Sequence, residues 1–199
     1  MYQIGNRDRK TFDGGLAIGA NFTQVDGDSY AGYHKLGLQA GLFSYAHFSD
    51  KIGASMELLY TQKGSNAVTT ANSVTVGTYF LTYLLRLNYV EVPVAFHYIV
   101  LDKYDLEAGL SAAYLVRTYE SMAADYPVYI DEDRNRFEKV DVDWFVGVTK
   151  KLYMNLFINM RYQYSFTTIR PITRIPYGSF NEIGDEHNNV VTARFLYVF

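Results

Sequence analysis

From Gly14 onward, apolar residues recur at every second position in eight segments. Such alternation marks strands with two chemically different faces. The first segment sets Leu16, Ile18, Ala20 and Phe22 against Ala17, Gly19, Asn21 and Thr23. The second sets Leu36, Leu38, Ala40 and Leu42 against Gly37, Gln39, Gly41 and Phe43. Further segments follow over Ile52 to Tyr60, Val90 to Tyr98, Leu106 to Arg117, Val140 to Thr149, Leu152 to Tyr164 and Val191 to Phe199.

The connections alternate in length. Short turns are predicted at Ser49 to Lys51, around Asp102 and Lys103, and at Lys150 and Lys151. Long polar connections are predicted at Asp26 to His34, Gln62 to Thr78, Tyr119 to Lys139 and Thr167 to Asn188. Tight turns at one end and long loops at the other describe an all-β, eight-stranded antiparallel up-and-down β-barrel. In a transmembrane barrel the short turns lie in the periplasm and the long loops face outside. The organisation read from the chain is a polar periplasmic N-terminal segment over 1–13 and one outer-membrane domain over 14–199 with four long extracellular loops.

Alternation alone does not say which face is inside, and a soluble lipocalin-like barrel would bury its apolar face around a ligand. The apolar set is long and nearly free of charge, as a bilayer-spanning strand of about 9–11 residues requires. Glu57, Glu91, Glu107, Asp143 and Arg194 share the other face with Gly and Ser, as in a narrow interior filled with side chains. Arg161 falls there too. Aromatic residues make up 17% of the chain, and Tyr60, Tyr98, Tyr104, Tyr162, Tyr164 and Phe166 gather at strand ends where interfacial girdles lie. A membrane barrel follows.

The formal charge of −3 supplies no basic stripe for nucleic acid. The absence of cysteine removes disulfides, thiolate metal sites and cysteine nucleophiles. Residues 1–11 carry Arg7, Asp8, Arg9 and Lys10 without the apolar stretch of a secretory signal. A signal peptide removed beforehand, and residence in the outer membrane of a Gram-negative bacterium, are therefore expected.

Glu57, Glu91, Glu107, Asp143, Arg161 and Arg194 are expected to form an interior polar network. It reads either as an ion path or, more plainly, as salt bridges filling a lumen too narrow to conduct. Pro93 lacks a ladder donor, so a bulge is expected there. His187 beside Asp185, Glu186 and Ser179 invites a catalytic reading that nothing in the spacing requires. No cofactor or metal is expected, and the expected role is non-enzymatic. In the loops, Tyr126, Tyr129, Arg170, Arg174 and Tyr177 are of the types that anchor interfaces. They serve either as partner contacts or as a cap on the barrel.

The run Phe48-Ser49-Asp50-Lys51-Ile52-Gly53, then Glu57-Leu58-Leu59-Tyr60-Thr61-Gln62-Lys63-Gly64, resembles the turn and third strand of the PorT-like outer-membrane β-barrel family. Leu87-Asn88-Tyr89-Val90-Glu91-Val92-Pro93 is similar to that family's aromatic-aliphatic-Glu-aliphatic-Pro box, and Leu106-Glu107-Ala108-Gly109-Leu110 also fits. The resemblance implies that Phe195, Tyr197 and Phe199 act as the signal read by the barrel-insertion machinery. It also implies a role in protein secretion or envelope assembly, with a protein partner in the membrane beside lipid and lipopolysaccharide. The alternative is a surface ligand-binding or adhesin-like barrel acting through its loops.

Overall fold

A computed structural model describes residues 11–28, 32–73, 77–101, 103–124, 136–174 and 184–199. Eight strands run in sequence order: β1 (Phe12–Asp26), β2 (Lys35–His47), β3 (Ile52–Ser73), β4 (Gly77–Val100), β5 (Tyr104–Ala124), β6 (Val140–Tyr153), β7 (Leu156–Ser165) and β8 (His187–Val198). Each pairs antiparallel with its neighbours, and β8 returns to β1 to close the barrel. β1 begins at Phe12, two residues before the expected start of the barrel domain.

The alternation in sequence becomes a direction in space. Leu16, Ile18, Leu38, Leu42, Met56, Leu58, Val94, Phe96, Leu110 and Met160 are exposed around the wall, whereas Asn21, Gln39, Glu57, Glu91, Glu107, Asp143, Arg161 and Arg194 are buried inside it. An apolar belt of this extent has no favourable contact with water, and lipid satisfies it. Phe195, Tyr197 and Phe199 also face outward, on the belt side of the final strand. Among the described residues no helix is long and apolar enough to cross a membrane.

The structure corrects three expectations. The predicted long connection at Gln62 to Thr78 is mostly strand: β3 and β4 pair continuously from Gln62 with Asn88 to Ser73 with Gly77. β5 likewise runs on to Ala124, pairing with Leu81 of β4. β2 gives β3 its last partner at Thr61, so β3, β4 and β5 rise above the barrel wall as a three-stranded sheet. Gln62 and Gly64 still accept side-chain hydrogen bonds from Asn21 and Thr23 of β1, so the raised part of β3 runs from Ser65 to Ser73 and adds about 30 Å of strand.

No register shift occurs at Pro93, which pairs with Ser111 in an unbroken β4–β5 register. The β3–β4 ladder instead lacks pairs at Glu57 and Leu58, opposite Pro93 and Val92, with the same register on either side. A proline there removes a hydrogen bond without inserting a residue. The bulge lies further up, where Asn88 and Tyr89 face Arg117 and Leu115 and leave Val116 as the extra residue.

The third turn is at Met154 and Asn155, because β6 continues through Lys150 and Lys151 to Tyr153. Met154 takes a φ of 40°, a left-handed conformation that a side chain resists. Met154→Gly is expected to raise stability by about 1 kcal/mol by relieving that strain. A higher urea midpoint with an unchanged slope checks it.

Candidate functional site

The strand pleat aims the inward residues into a lumen that they fill in tiers. The middle tier is built on Glu57 of β3. Its Oε2 accepts from Arg194 Nη1 at 2.6 Å, and its Oε1 accepts from Arg161 Nη2 at 2.8 Å and Arg194 Nη2 at 2.9 Å. Arg161 Nε also donates to Glu107 Oε1 at 2.8 Å. Asn159 ties the two arginine positions together, donating to Glu107 at 3.0 Å and accepting from Arg194 Nε at 2.8 Å. The Arg161 guanidinium lies 4.0 Å from the centre of the Phe145 ring. A Cβ on Gly147 would stand against the Glu107 carboxylate, so this glycine is what lets Glu107 reach across to Arg161. Charge-assisted, multiply bonded pairs of this kind are what makes burying four ions tolerable.

Above it lies a tier centred on Lys63. Its Nζ is 2.8 Å from Asp143 and 3.4 Å from Asp141, over the Tyr89 ring. Gln163 donates to both Asp143 and Glu91, and Ser111 donates to Glu91. The six network residues expected from sequence thus all lie in the lumen but belong to two tiers. Glu57, Glu107, Arg161 and Arg194 form one, and Glu91 and Asp143 join Lys63 in the other. Lys63 was missed because its segment reads as loop.

The outer end is closed by apolar packing. Tyr83, Leu85, Leu87, Tyr89, Ala113 and Leu115, on the inner face of the raised sheet, pack with Val25, Phe137 and Ile169. Arg170, read from sequence as either a partner contact or part of a cap, is fully buried here. It pairs with Glu186 at 2.7 Å and Glu120 at 3.0 Å, and lies over the Phe137 ring. Its charge is consumed by two carboxylates from distant segments, so it braces the cap. Burial pushes the Glu186 carboxyl above its ordinary value, against the pull of Arg170. Arg174 closes the short 3-10 turn Ile172–Arg174, and its side chain, like Tyr126, Tyr129 and Tyr177, lies outside the described residues. His187 stacks on Tyr164 and Glu186 is committed to Arg170, while Ser179, the serine of the catalytic reading, lies outside the described residues.

At the periplasmic end the lumen keeps a cavity of about 40 Å³, lined by Phe43, Tyr45, Ser55, His97, Asp105, Phe157 and Arg194 among others. Ser55 Oγ is 2.8 Å from His97 Nε2, and His97 Nδ1 is 3.0 Å from Asp105 Oδ2. Tyr45 packs between His97 and His47, and His47 pairs with Asp13 at 2.8 Å. Ser55 and His97 fall on the polar side of the alternating segments Ile52 to Tyr60 and Val90 to Tyr98.

A closed barrel with an apolar exterior and an ion-paired lumen is one half of the identification. The other is a family model, described as outer membrane protein beta-barrel domain, that matches residues 1–170. The chain belongs to that family. Outer membrane protein beta-barrel domains therefore include this molecule, and the outer membrane is its location. No curated protein matches the sequence. Among solved structures, the attachment invasion locus protein Ail of Yersinia pestis is similar at 14% identity, covering 96% of this chain and 100% of that one, with a TM-score of 0.48. Neisserial surface protein A is similar at 9% identity, with 96% and 98% covered and a TM-score of 0.49. A de novo designed transmembrane β-barrel is similar at 11% identity, with 97% and 100% covered and a TM-score of 0.43.

Proposed function

We propose that this outer-membrane β-barrel is a surface-binding protein whose raised β3–β5 sheet is the contact platform, and that this role involves no turnover. The observation that carries the reading is the inequality of the strands. β3, β4 and β5 have 22, 24 and 21 residues, against 10 to 15 in the others. The excess is placed on one side of the barrel and on the outer end only. Its inner face is committed to the apolar cap, while its outer face presents Val68, Phe80 and Tyr119 to solvent, with Arg86 stacked on Tyr119 at 5.8 Å. Aromatic and arginine side chains on a rigid sheet suit protein or glycan recognition. The packed lumen and closed outer end argue against a general pore.

A second reading, a component assisting secretion or envelope assembly, draws on the PorT-like sequence resemblance. It places the contacts on the wall or the periplasmic side rather than on the raised sheet.

Site-specific photocrosslinkers at Val68 and Phe80, and separately at Phe48 and Lys103, separate the two in intact outer membranes. Adducts confined to Val68 and Phe80 are expected. Adducts confined to Phe48 and Lys103 would favour the assembly reading instead, and no adduct at any of the four would count against both.

A further inference from the structure

We infer that Ser55, His97 and Asp105 form an acyl-accepting nucleophilic site that opens toward the periplasm and takes small, acetyl-sized esters. Nothing in the surface-binding reading requires this site, which sits at the opposite end of the barrel.

Three inward residues on three consecutive strands make the arrangement. Ser55 of β3 stands opposite Ala95 of β4, so His97 is its diagonal neighbour on the same face. His97 stands opposite Glu107 of β5, so Asp105 is the next diagonal neighbour. Same-face diagonal positions lie close enough for side chains to meet. The contacts are 2.8 Å from Ser55 Oγ to His97 Nε2 and 3.0 Å from His97 Nδ1 to Asp105 Oδ2. An Nδ1–H donated to Asp105 leaves Nε2 to accept from the serine hydroxyl. That is the tautomer a serine nucleophile needs in its base.

The surroundings fit a reacting group as well. Ser55 is buried and, like His97 and Asp105, is among the residues that line the cavity of about 40 Å³. Phe43, Phe157, Leu196 and Val198 supply an apolar wall, and the Arg194 guanidinium is the cation on the cavity surface. The volume suits an acetyl group. Asp13 and Val198, both partly exposed, mark the side toward the short turns, while the apolar cap closes the far end. Access is therefore from the periplasm.

The chemistry balances with water as the second substrate. Ser55 Oγ attacks the ester carbonyl carbon while its proton passes to His97 Nε2. The ester C–O bond then breaks, and His97 returns that proton to the departing alcohol oxygen. Acetyl-Ser55 is hydrolysed by a water that gives its proton to His97, releasing acetate and restoring the hydroxyl.

The test uses the full chain refolded in detergent micelles, with a fluorophosphonate probe and p-nitrophenyl acetate. Peptide mapping is expected to place the label on Ser55, and Ser55→Ala is expected to abolish labelling and ester turnover. His97→Gln is expected to reduce turnover by about 10²–10⁴-fold, the usual contribution of a positioned base. Asp105→Asn is expected to reduce it too, through the wrong imidazole tautomer. Cold-gel migration of each variant shows whether its barrel is closed, so a folding failure is not read as a chemical one. The inference is overturned if the folded wild-type chain takes no label and turns over no ester, or if the label maps to a residue other than Ser55.

Discussion

Replacing Glu57 by Gln is expected to lower the unfolding free energy of the barrel by about 3–5 kcal/mol, the cost of breaking a buried ion pair by removing one partner. Glu57 accepts three hydrogen bonds from two guanidiniums, so its loss leaves Arg161 and Arg194 with Glu107 as the remaining carboxylate of their tier. A neutral amide of the same shape keeps the packing and removes the charge, which separates electrostatics from cavity formation. Urea unfolding from lipid vesicles measures the effect. A double variant, Glu57→Gln with Arg194→Gln, is expected to lose less than the sum of the singles, because the second change removes a charge the first left unpaired. A loss for Glu57→Gln below about 1 kcal/mol, the scale of a solvated surface pair, would mean that water replaces the carboxylate and that the lumen is wet at this depth.

Leu110→Arg is expected to cost about 2–4 kcal/mol in a bilayer, the penalty for a cation on the lipid face near mid-depth. Leu110 is 57% exposed, lies between Val94 and Trp144 on the neighbouring strands, and points away from the lumen. The same substitution on a barrel with water outside would be close to neutral, since it would place a charge where solvent already reaches. The measurement thus checks the solvent of the exterior directly. Comparison with Phe48→Arg at the periplasmic turn, exposed and near the interface, is expected to show a cost of only about 0–1 kcal/mol.

The parts of the fold legible in sequence were those where lipid imposes a rule. Within the bilayer one face must be apolar and the other carries the polar residues, so the outward direction of Leu16, Val94 and Leu110 and the inward direction of Glu57, Asp143 and Arg194 follow from alternation. Above the bilayer both faces of a strand may be polar, and the rule lapses. Gln62 to Thr78 therefore read as loop although it is mostly strand, and Lys63 was lost with it. Asp105 is not singled out by the sequence because the alternation that marks β5 becomes clear only at Leu106, two residues after the strand begins. The turn at Met154 and Asn155 was hidden because an apolar residue occupies a left-handed position and the charged pair Lys150 and Lys151 resembled a better turn. For Arg170 the sequence left partner contact and barrel cap equally open. Its burial depends on Glu120 and Glu186, brought in from β5 and from the approach to β8, and no local pattern reports contacts of that range.

The seam between β1 and β8 governs when the barrel comes into being. Gly15 pairs with Val198 and Asp26 with His187, so the hydrogen bonds that close the ring join the first and last strands of the barrel. Contacts so distant in sequence are slow to form, because the loop entropy must be lost before they give anything back. Seven strands can pair as soon as each neighbour exists, but the first strand keeps an open edge until the last has been made. An open edge is a template for association with other chains. The molecule is therefore most vulnerable between release from synthesis and arrival of β8 in the membrane, and its yield depends on whatever shields that edge during the interval.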